Sequence, residues 1–164
     1  KKGDKVTILP SGFNSIIKSI DTYDGQVTEA FAPMSVCMTL KDDLDISRGN
    51  MIVAQNNSAE ATQDVDLMIC WMNKKELQLN GKYSLKHTSN DVRCIVKSIQ
   101  YKININTLHK NEEDKSIGLN DIGRVKIRTT APIFIDKHRR NRITGSLILI
   151  DEASNETVGA GMII

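Results

Sequence analysis

Aromatic side chains are scarce in this sequence, making up 4% of its 164 residues. A core built from it must be aliphatic, and the exposed aromatics on which nucleic-acid bases stack are in short supply. A surplus of one charge is lacking too. Lysine and arginine number 22 against 20 aspartates and glutamates, for a net charge of +2. That balance argues against a basic nucleic-acid clamp and against an acidic tail, so nucleic acid is not an expected partner. No apolar run approaches the roughly 20 residues of a membrane-spanning helix, so no membrane partner is expected either. The chain opens Lys1-Lys2-Gly3-Asp4, with no apolar stretch behind the lysines and no initiating Met. These features exclude a secretory signal and raise the expectation of a piece of a longer protein. Cysteine is limited to Cys37, Cys70 and Cys94. An odd number at wide spacing fits neither a disulfide framework nor a zinc pair. The expectation is buried free thiols in a reducing cytoplasm.

What is abundant is branching at Cβ. Val, Ile and Thr account for 41 residues, Ala and Leu for 19. Branched side chains lose rotamer freedom in a helix and pack well on a pleated surface, whereas Ala and Leu fill helices. The excess predicts an all-β protein.

Turn signals divide the chain into short strands. Strands are predicted over residues 5–9, 15–20, 26–30, 35–40 and 51–54. The separating turns are Pro10-Ser11-Gly12, Tyr23-Asp24-Gly25 and Arg48-Gly49-Asn50. In the fourth strand Val36, Met38 and Leu40 share one face, Cys37 and Thr39 the other. The polar run 56–63, without a large side chain, reads as a linker with a boundary near Asn57. Beyond it, strands are predicted over 64–72, 82–87, 92–105, 125–129, 133–135, 146–151 and 156–164. In the run 92–105 the apolar positions change parity midway, which suits a bulge. Residues 106–115 read as a loop or a frayed helix at the surface, and Gly159-Ala160-Gly161 as a place where another backbone comes close. The result is two small β-barrels, over 1–57 and 62–164. The first is short for a closed barrel, so its first strands are expected upstream of Lys1 or its edge against a neighbour.

The sequence offers little recognisable chemistry. Gly81-Lys82 is the only Gly-Lys pair, and Glu76 stands where a phosphate loop needs its leading glycine. Gly159-Ala160-Gly161 opens no helix that could face a phosphate. His87, His109 and His138 are far apart and show no metal-ligand spacing, so they read as surface or turn histidines. Asp42, Asp43 and Asp45 lack the spacing of a calcium loop and read as a solvated turn. The one dense feature is His138-Arg139-Arg140-Asn141-Arg142 in a predicted loop. Guanidinium forks suit phosphate, sulfate or an acidic protein surface, and a solvated charged loop is the plain alternative.

Several of these residues fall into a familiar series. Leu9-Pro10-Ser11-Gly12, Tyr23-Asp24-Gly25, Glu29-Ala30-Phe31-Ala32 and Leu44-Asp45-Ile46-Ser47-Arg48-Gly49 resemble the second domain of the large, GTP-binding subunit of bacterial sulfate adenylyltransferase. Ile122-Gly123-Arg124-Val125, Ala131-Pro132, Asn141-Arg142, Thr144-Gly145, Leu149-Ile150-Asp151 and Thr157-Val158-Gly159-Ala160-Gly161-Met162-Ile163 resemble that subunit's C-terminal domain. The closing Thr-Val-Gly-Ala-Gly is also similar to elongation factor Tu, of the same translation-factor superfamily. Pro33 and Asn50 depart from the pattern, where Gly and Asp are expected.

The resemblance implies two barrels like the second and third domains of elongation factor Tu-like GTPases, the second of them a C-terminal Greek-key barrel over 62–164. It implies a cytoplasmic GTPase subunit serving an enzyme that makes adenosine 5′-phosphosulfate and pyrophosphate from ATP and sulfate. No catalytic, cofactor or metal residue carries over to these positions. GTP and Mg belong to a G domain outside this sequence. The implied partners are that G domain and the small catalytic subunit, and His138, Arg139, Arg140, Asn141 and Arg142 are the candidate contact. The competing reading is a tRNA- or ribosome-contacting barrel module of an elongation factor.

Overall fold

The computed structural model describes residues 1–57 and 59–164. Those residues form twelve strands and no helix, so none of them supplies a helix able to cross a membrane. The chain divides into two compact units, Lys1–Ala59 and Glu60–Ile164.

The first unit contains β1 (Lys5–Leu9), β2 (Asn14–Thr22), β3 (Gly25–Val27), β4 (Cys37–Leu40) and β5 (Met51–Ala54). The ladder runs β3-β2-β1-β5, with β4 on β2. Residues 14–16 of β2 pair with β1 and residues 17–21 with β4. The turn before β2 uses Gly12 at φ +76°, a conformation that glycine adopts without strain. Val6, Ile17 and Ile20 form a small core, covered by Val27, Ala30, Met38, Leu40 and Ile52. Met38 and Leu40 point inward and Cys37 and Thr39 outward, as the alternation predicts. The same alternation exposes Cys37, which corrects the expectation of a buried thiol there. The strand starts at Cys37 rather than residue 35, and Val36 is exposed. Among the described residues this ladder does not close on itself.

The second unit contains β6 (Glu60–Trp71), β7 (Lys82–His87), β8 (Asn90–Ile103), β9 (Lys110–Asn111), β10 (Ile122–Ile135), β11 (Ser146–Ile150) and β12 (Thr157–Ile163). The order is β10-β6-β12-β11-β7-β8, and β8 pairs back onto β10. Six antiparallel strands therefore close into a barrel, and β9 pairs antiparallel with the end of β8. Inward positions alternate along each strand: Val65, Leu67, Ile69 and Trp71 on β6, then Val125 and Ile127 on β10. On β8 the buried positions pass from Val92, Cys94 and Val96 to Ile99. The parity changes because the register against β10 skips Lys97, and a second skip at Gln100 makes the expected bulge double.

Three sequence expectations need correction. The polar run 56–63 is strand from Glu60 onward, where Glu60, Ala61 and Thr62 pair with Ile135, Phe134 and Ile133. This stretch is held by main-chain bonds, which side-chain polarity does not disclose. Residues 129–132 of β10 bulge against Gln63, and Pro132, which lacks an N–H, sits in the bulge. There the Thr129 hydroxyl donates to the Gln63 carbonyl (3.2 Å) or the Ala131 carbonyl (2.8 Å), while the Gln63 amide donates to the Thr129 carbonyl (3.3 Å).

Secondly, Gly159 and Gly161 make room for side chains, not for a backbone. A Cβ on Gly161 would lie 2.5 Å from Leu67 Cδ1 and 3.1 Å from Leu147 Cδ1, and one on Gly159 2.8 Å from Ile69 Cδ1. The narrow barrel interior accommodates its large aliphatic residues because β12 contributes nothing at these two points. Thirdly, His87 is 1% exposed rather than a surface residue. It ends β7 at an inward position, and its ring makes a hydrogen bond that offsets burial.

Two predictions follow from this packing. Gly161→Ala forces flexible Leu67 and Leu147 to shift, and should lower unfolding free energy by about 1–3 kcal/mol in urea titration. An unchanged midpoint would mean the barrel interior has slack at this point. The Cys94 thiol is 3% exposed, and burial pushes its pKa up to about 12. In a native thiol titration at neutral pH, Cys37 should react promptly, half-buried Cys70 later, and Cys94 only on unfolding. Prompt reaction of Cys94 would contradict the closed barrel.

Candidate functional site

The charged loop connects β10 to β11, two strands that are not neighbours in the barrel. It is folded on itself rather than extended. The Arg140 and Asn141 N–H groups both donate to the Lys137 carbonyl (2.8 and 3.1 Å), and the Gly145 N–H donates to the Asn141 carbonyl (2.9 Å). Asn141 turns its side-chain oxygen back to accept from the Ile143 N–H at 3.0 Å. The Thr144 hydroxyl donates to Asp136 Oδ2 at 2.8 Å, closing the base of the loop. Asp136 also lies 3.9 Å from the Arg140 guanidinium, too long and too exposed a pair to add much stability.

Four strands fasten this loop. The His138 N–H donates to the Ile163 carbonyl (2.9 Å), and the Ile163 N–H donates to the Gly145 carbonyl (2.8 Å), both on β12. From the end of β7, His87 Nε2 lies 2.8 Å from the Thr144 carbonyl. A carbonyl only accepts, so this geometry assigns the proton to Nε2. β10 and β11 supply the two ends. Gly145 is required by space: a Cβ there would lie 2.6 Å from both the His138 nitrogen and the Asn141 carbonyl oxygen. Backbone atoms cannot yield as side-chain tips do.

The outcome for the five candidate residues is uneven. Arg139, Arg140, Asn141 and Arg142 are exposed, with Ile143 beside them 71% exposed, whereas His138 is half-buried. Asn141 is tied into the loop, so its role is to shape the backbone. The arginines are presented outward from a fixed frame. Sequence reasoning missed that frame: Asp136, Thr144, Gly145 and His87. Thr144-Gly145 stood out only as part of a motif, and nothing local marks His87 as its support. The other sequence candidates lie elsewhere. Asp42 accepts from the Ser15 hydroxyl at 2.7 Å within the first unit, and His109 is exposed in the connection between β8 and β9. The described residues bring no three His, Cys, Asp or Glu side chains together as a metal-binding group.

Beside the loop, the outer face of the barrel carries a groove of about 570 Å³. Lys137, His138 and Arg139 form one side, and outward residues of β6, β8, β10 and β12 form the floor. Arg124 in that floor is held flat by Asp66, which accepts from its Nε and Nη2 at 2.9 and 2.7 Å. The carboxylate's hydrogen bonds raise the Arg124 pKa above its already high ordinary value, so it stays a cation.

Residues 64–164 match the family model described as GTP-eEF1A C-terminal domain-like. The chain belongs to this family. Among curated proteins, it is 43% identical over 164 residues to the bifunctional enzyme CysN/CysC of Rhodopirellula baltica, covering 100% of this chain and 25% of that protein. It is 41% identical over 164 residues to sulfate adenylyltransferase subunit 1 of Bacteroides fragilis, covering 100% of this chain and 34% of that one. The resemblance to the large sulfate adenylyltransferase subunit is therefore found along the whole sequence. The chain spans about a quarter to a third of the length of these relatives. Among solved structures, Sup35 complexed with GDP superposes with a TM-score of 0.89 at 15% identity, over 100% of this chain and 40% of that one. At that identity the likeness is one of fold: this is an all-β protein built on the barrels of translation-factor GTPases.

The frame predicts its own sensitivity. Gly145→Ala should open the loop, and trypsin should cleave after Lys137, Arg139, Arg140 or Arg142 about tenfold faster under native conditions. Unchanged cleavage would show that the loop stays closed without this glycine.

Proposed function

We propose that this chain is the barrel portion of the GTP-binding subunit of a sulfate adenylyltransferase, and that it has no catalytic residue of its own. The carrying observation is identity of 41–43% over all 164 residues to proteins bearing the CysN and sulfate adenylyltransferase subunit 1 names. In this reading GTP and Mg are held by a G domain. Adenylyl transfer from ATP to sulfate, which GTP hydrolysis drives, takes place on a small catalytic subunit in the cytoplasm. The barrels do mechanical work: they hold the small subunit and pass on the nucleotide state. Such coupling requires an interface with two arrangements whose free energies differ between GTP and GDP.

Loop residues His138, Arg139, Arg140, Asn141 and Arg142 are the proposed contact. Support comes from the outward arginines on a pinned backbone, since a preformed loop loses little conformational freedom on binding. Arg is also the cation best suited to grip carboxylates in two-pronged fashion.

The test replaces Arg139, Arg140 and Arg142 by Ala in the full-length subunit. Small-subunit affinity should fall about tenfold or more, and GTP hydrolysis should lose its dependence on the partner. Unchanged binding and coupling would remove the loop from the interface. An elongation-factor-like RNA module would instead retain tRNA on a filter at low salt and release it as salt rises. No retention at micromolar protein is expected.

A further inference from the structure

A single row of side chains crosses the outside of the barrel beside the loop. Met162 on β12 pairs with Met68 on β6, Met68 with Arg124 on β10, and Arg124 with Tyr101 on β8. Directly opposed residues in a sheet stand close enough for their side chains to touch. Each member of the row points outward. Met68 lies between buried Leu67 and Ile69, Arg124 between buried Gly123 and Val125, and Met162 between buried Gly161 and Ile163. The Tyr101 hydroxyl reaches Met68 Sδ at 3.9 Å, and the Lys110 ammonium sits 4.9 Å above the Tyr101 ring. This row is the floor of the groove whose side is Lys137 and Arg139.

The chemistry of the groove is lopsided. Its floor is soft and apolar, with Met162 47% exposed, and methionine adapts its shape to whatever packs on it. Its rim is cationic. Asp66, the acid beside the floor, is fully engaged by the two-pronged bond to Arg124. None of the side chains lining the groove is a carboxylate that could pair with Lys137 and Arg139. What fits is an anion-bearing strip with an apolar anchor.

We infer that this groove docks an acidic segment of a partner protein, with one large aliphatic or aromatic side chain seated on Met68 and Met162 and carboxylates on Lys137 and Arg139. A protein segment fits better than RNA. The only aromatic ring in the floor already carries Lys110, and the one floor cation already has a carboxylate, which leaves the methionine side chains and Ile164 as the open surface. The inference rests on the reading that the neighbouring loop is a protein contact, and it names the chemistry of the other half of that contact.

The experiment uses the full-length subunit and the purified small catalytic subunit as probe. Hydrogen exchange on complex formation should slow in β6 around Met68 and β12 around Met162, and in an acidic segment of the small subunit. Met68→Ser with Met162→Ser should weaken binding about tenfold, with Lys137→Glu and Arg139→Glu weakening it further and reducing the loss of affinity as salt rises. The exchange measurement needs no variant, so a folding defect cannot mask the result. If the arginine-loop variant loses binding while the methionine variant binds as the parent does, the loop contact stands and the groove is overturned. If neither variant moves binding and β6 and β12 exchange as before, both readings fall. Protection of a basic or neutral partner segment, or tRNA retention lost with the same substitutions, also overturns the groove.

Discussion

Strand β10 is bonded along both edges, to β6 and to β8, and the second unit depends on that double pairing. Without it the sheet would present two long rows of unsatisfied N–H and C=O groups. With it there is no free edge in the ring. Closure of so few strands demands strong coiling, and the ladder provides it at defined places. β8 bulges twice, β10 bulges over residues 129–132, and β12 inserts Val158 opposite β11. The interior that results is narrow. It holds Leu67, Ile69, Trp71 and Leu147 because Gly159 and Gly161 leave the facing wall bare. Bulge, glycine and large aliphatic residue are thus one arrangement, in which none of the three works alone.

The same closure decides where the charged loop sits. Because β10 and β11 are not neighbours, the chain must cross the end of the barrel between them, and that crossing is the charged loop. Bonds from Ile163 to His138 and Gly145, and from His87 to Thr144, tie the crossing to strands that the ring already fixes. A buried polar ring in an aliphatic core is tolerable here because its one bond leads out to the loop backbone. The barrel's rigidity therefore extends to the tips that bear Arg139 and Arg142.

How much of this the sequence discloses varies with the kind of interaction. Side-chain alternation is local, so β1, β5 and β7 are legible residue for residue, and the change of parity in 92–105 reveals its bulge. Charge density is local too, and it singles out residues 138–142. Main-chain pairing leaves no side-chain trace, so Glu60–Thr62 read as linker although they are strand. A one-faced core was equally invisible: Cys37 is exposed because the thin first unit buries only one side of β4. The row from Met162 to Tyr101 draws on four strands far apart in the chain, and no window of sequence contains it.

These constraints also say what kind of motion the second unit can transmit. A loop that signalled by refolding would need backbone bonds of low cost to break, with few tertiary anchors. This one has main-chain bonds to β12, a side-chain bond to β7 and a glycine packed against its own backbone. Loosening it would pull the Thr144 carbonyl away from the His87 ring, a buried donor that is expensive to leave unmatched. Under the proposed coupling, a change imposed on the unit would be carried as displacement of the whole barrel, with loop and groove moving together. A floor of methionines beside a fixed cationic rim suits that mode. In the proposed docking the rim would set the register of the segment, and the thioethers would absorb the small mismatch that rigid displacement leaves.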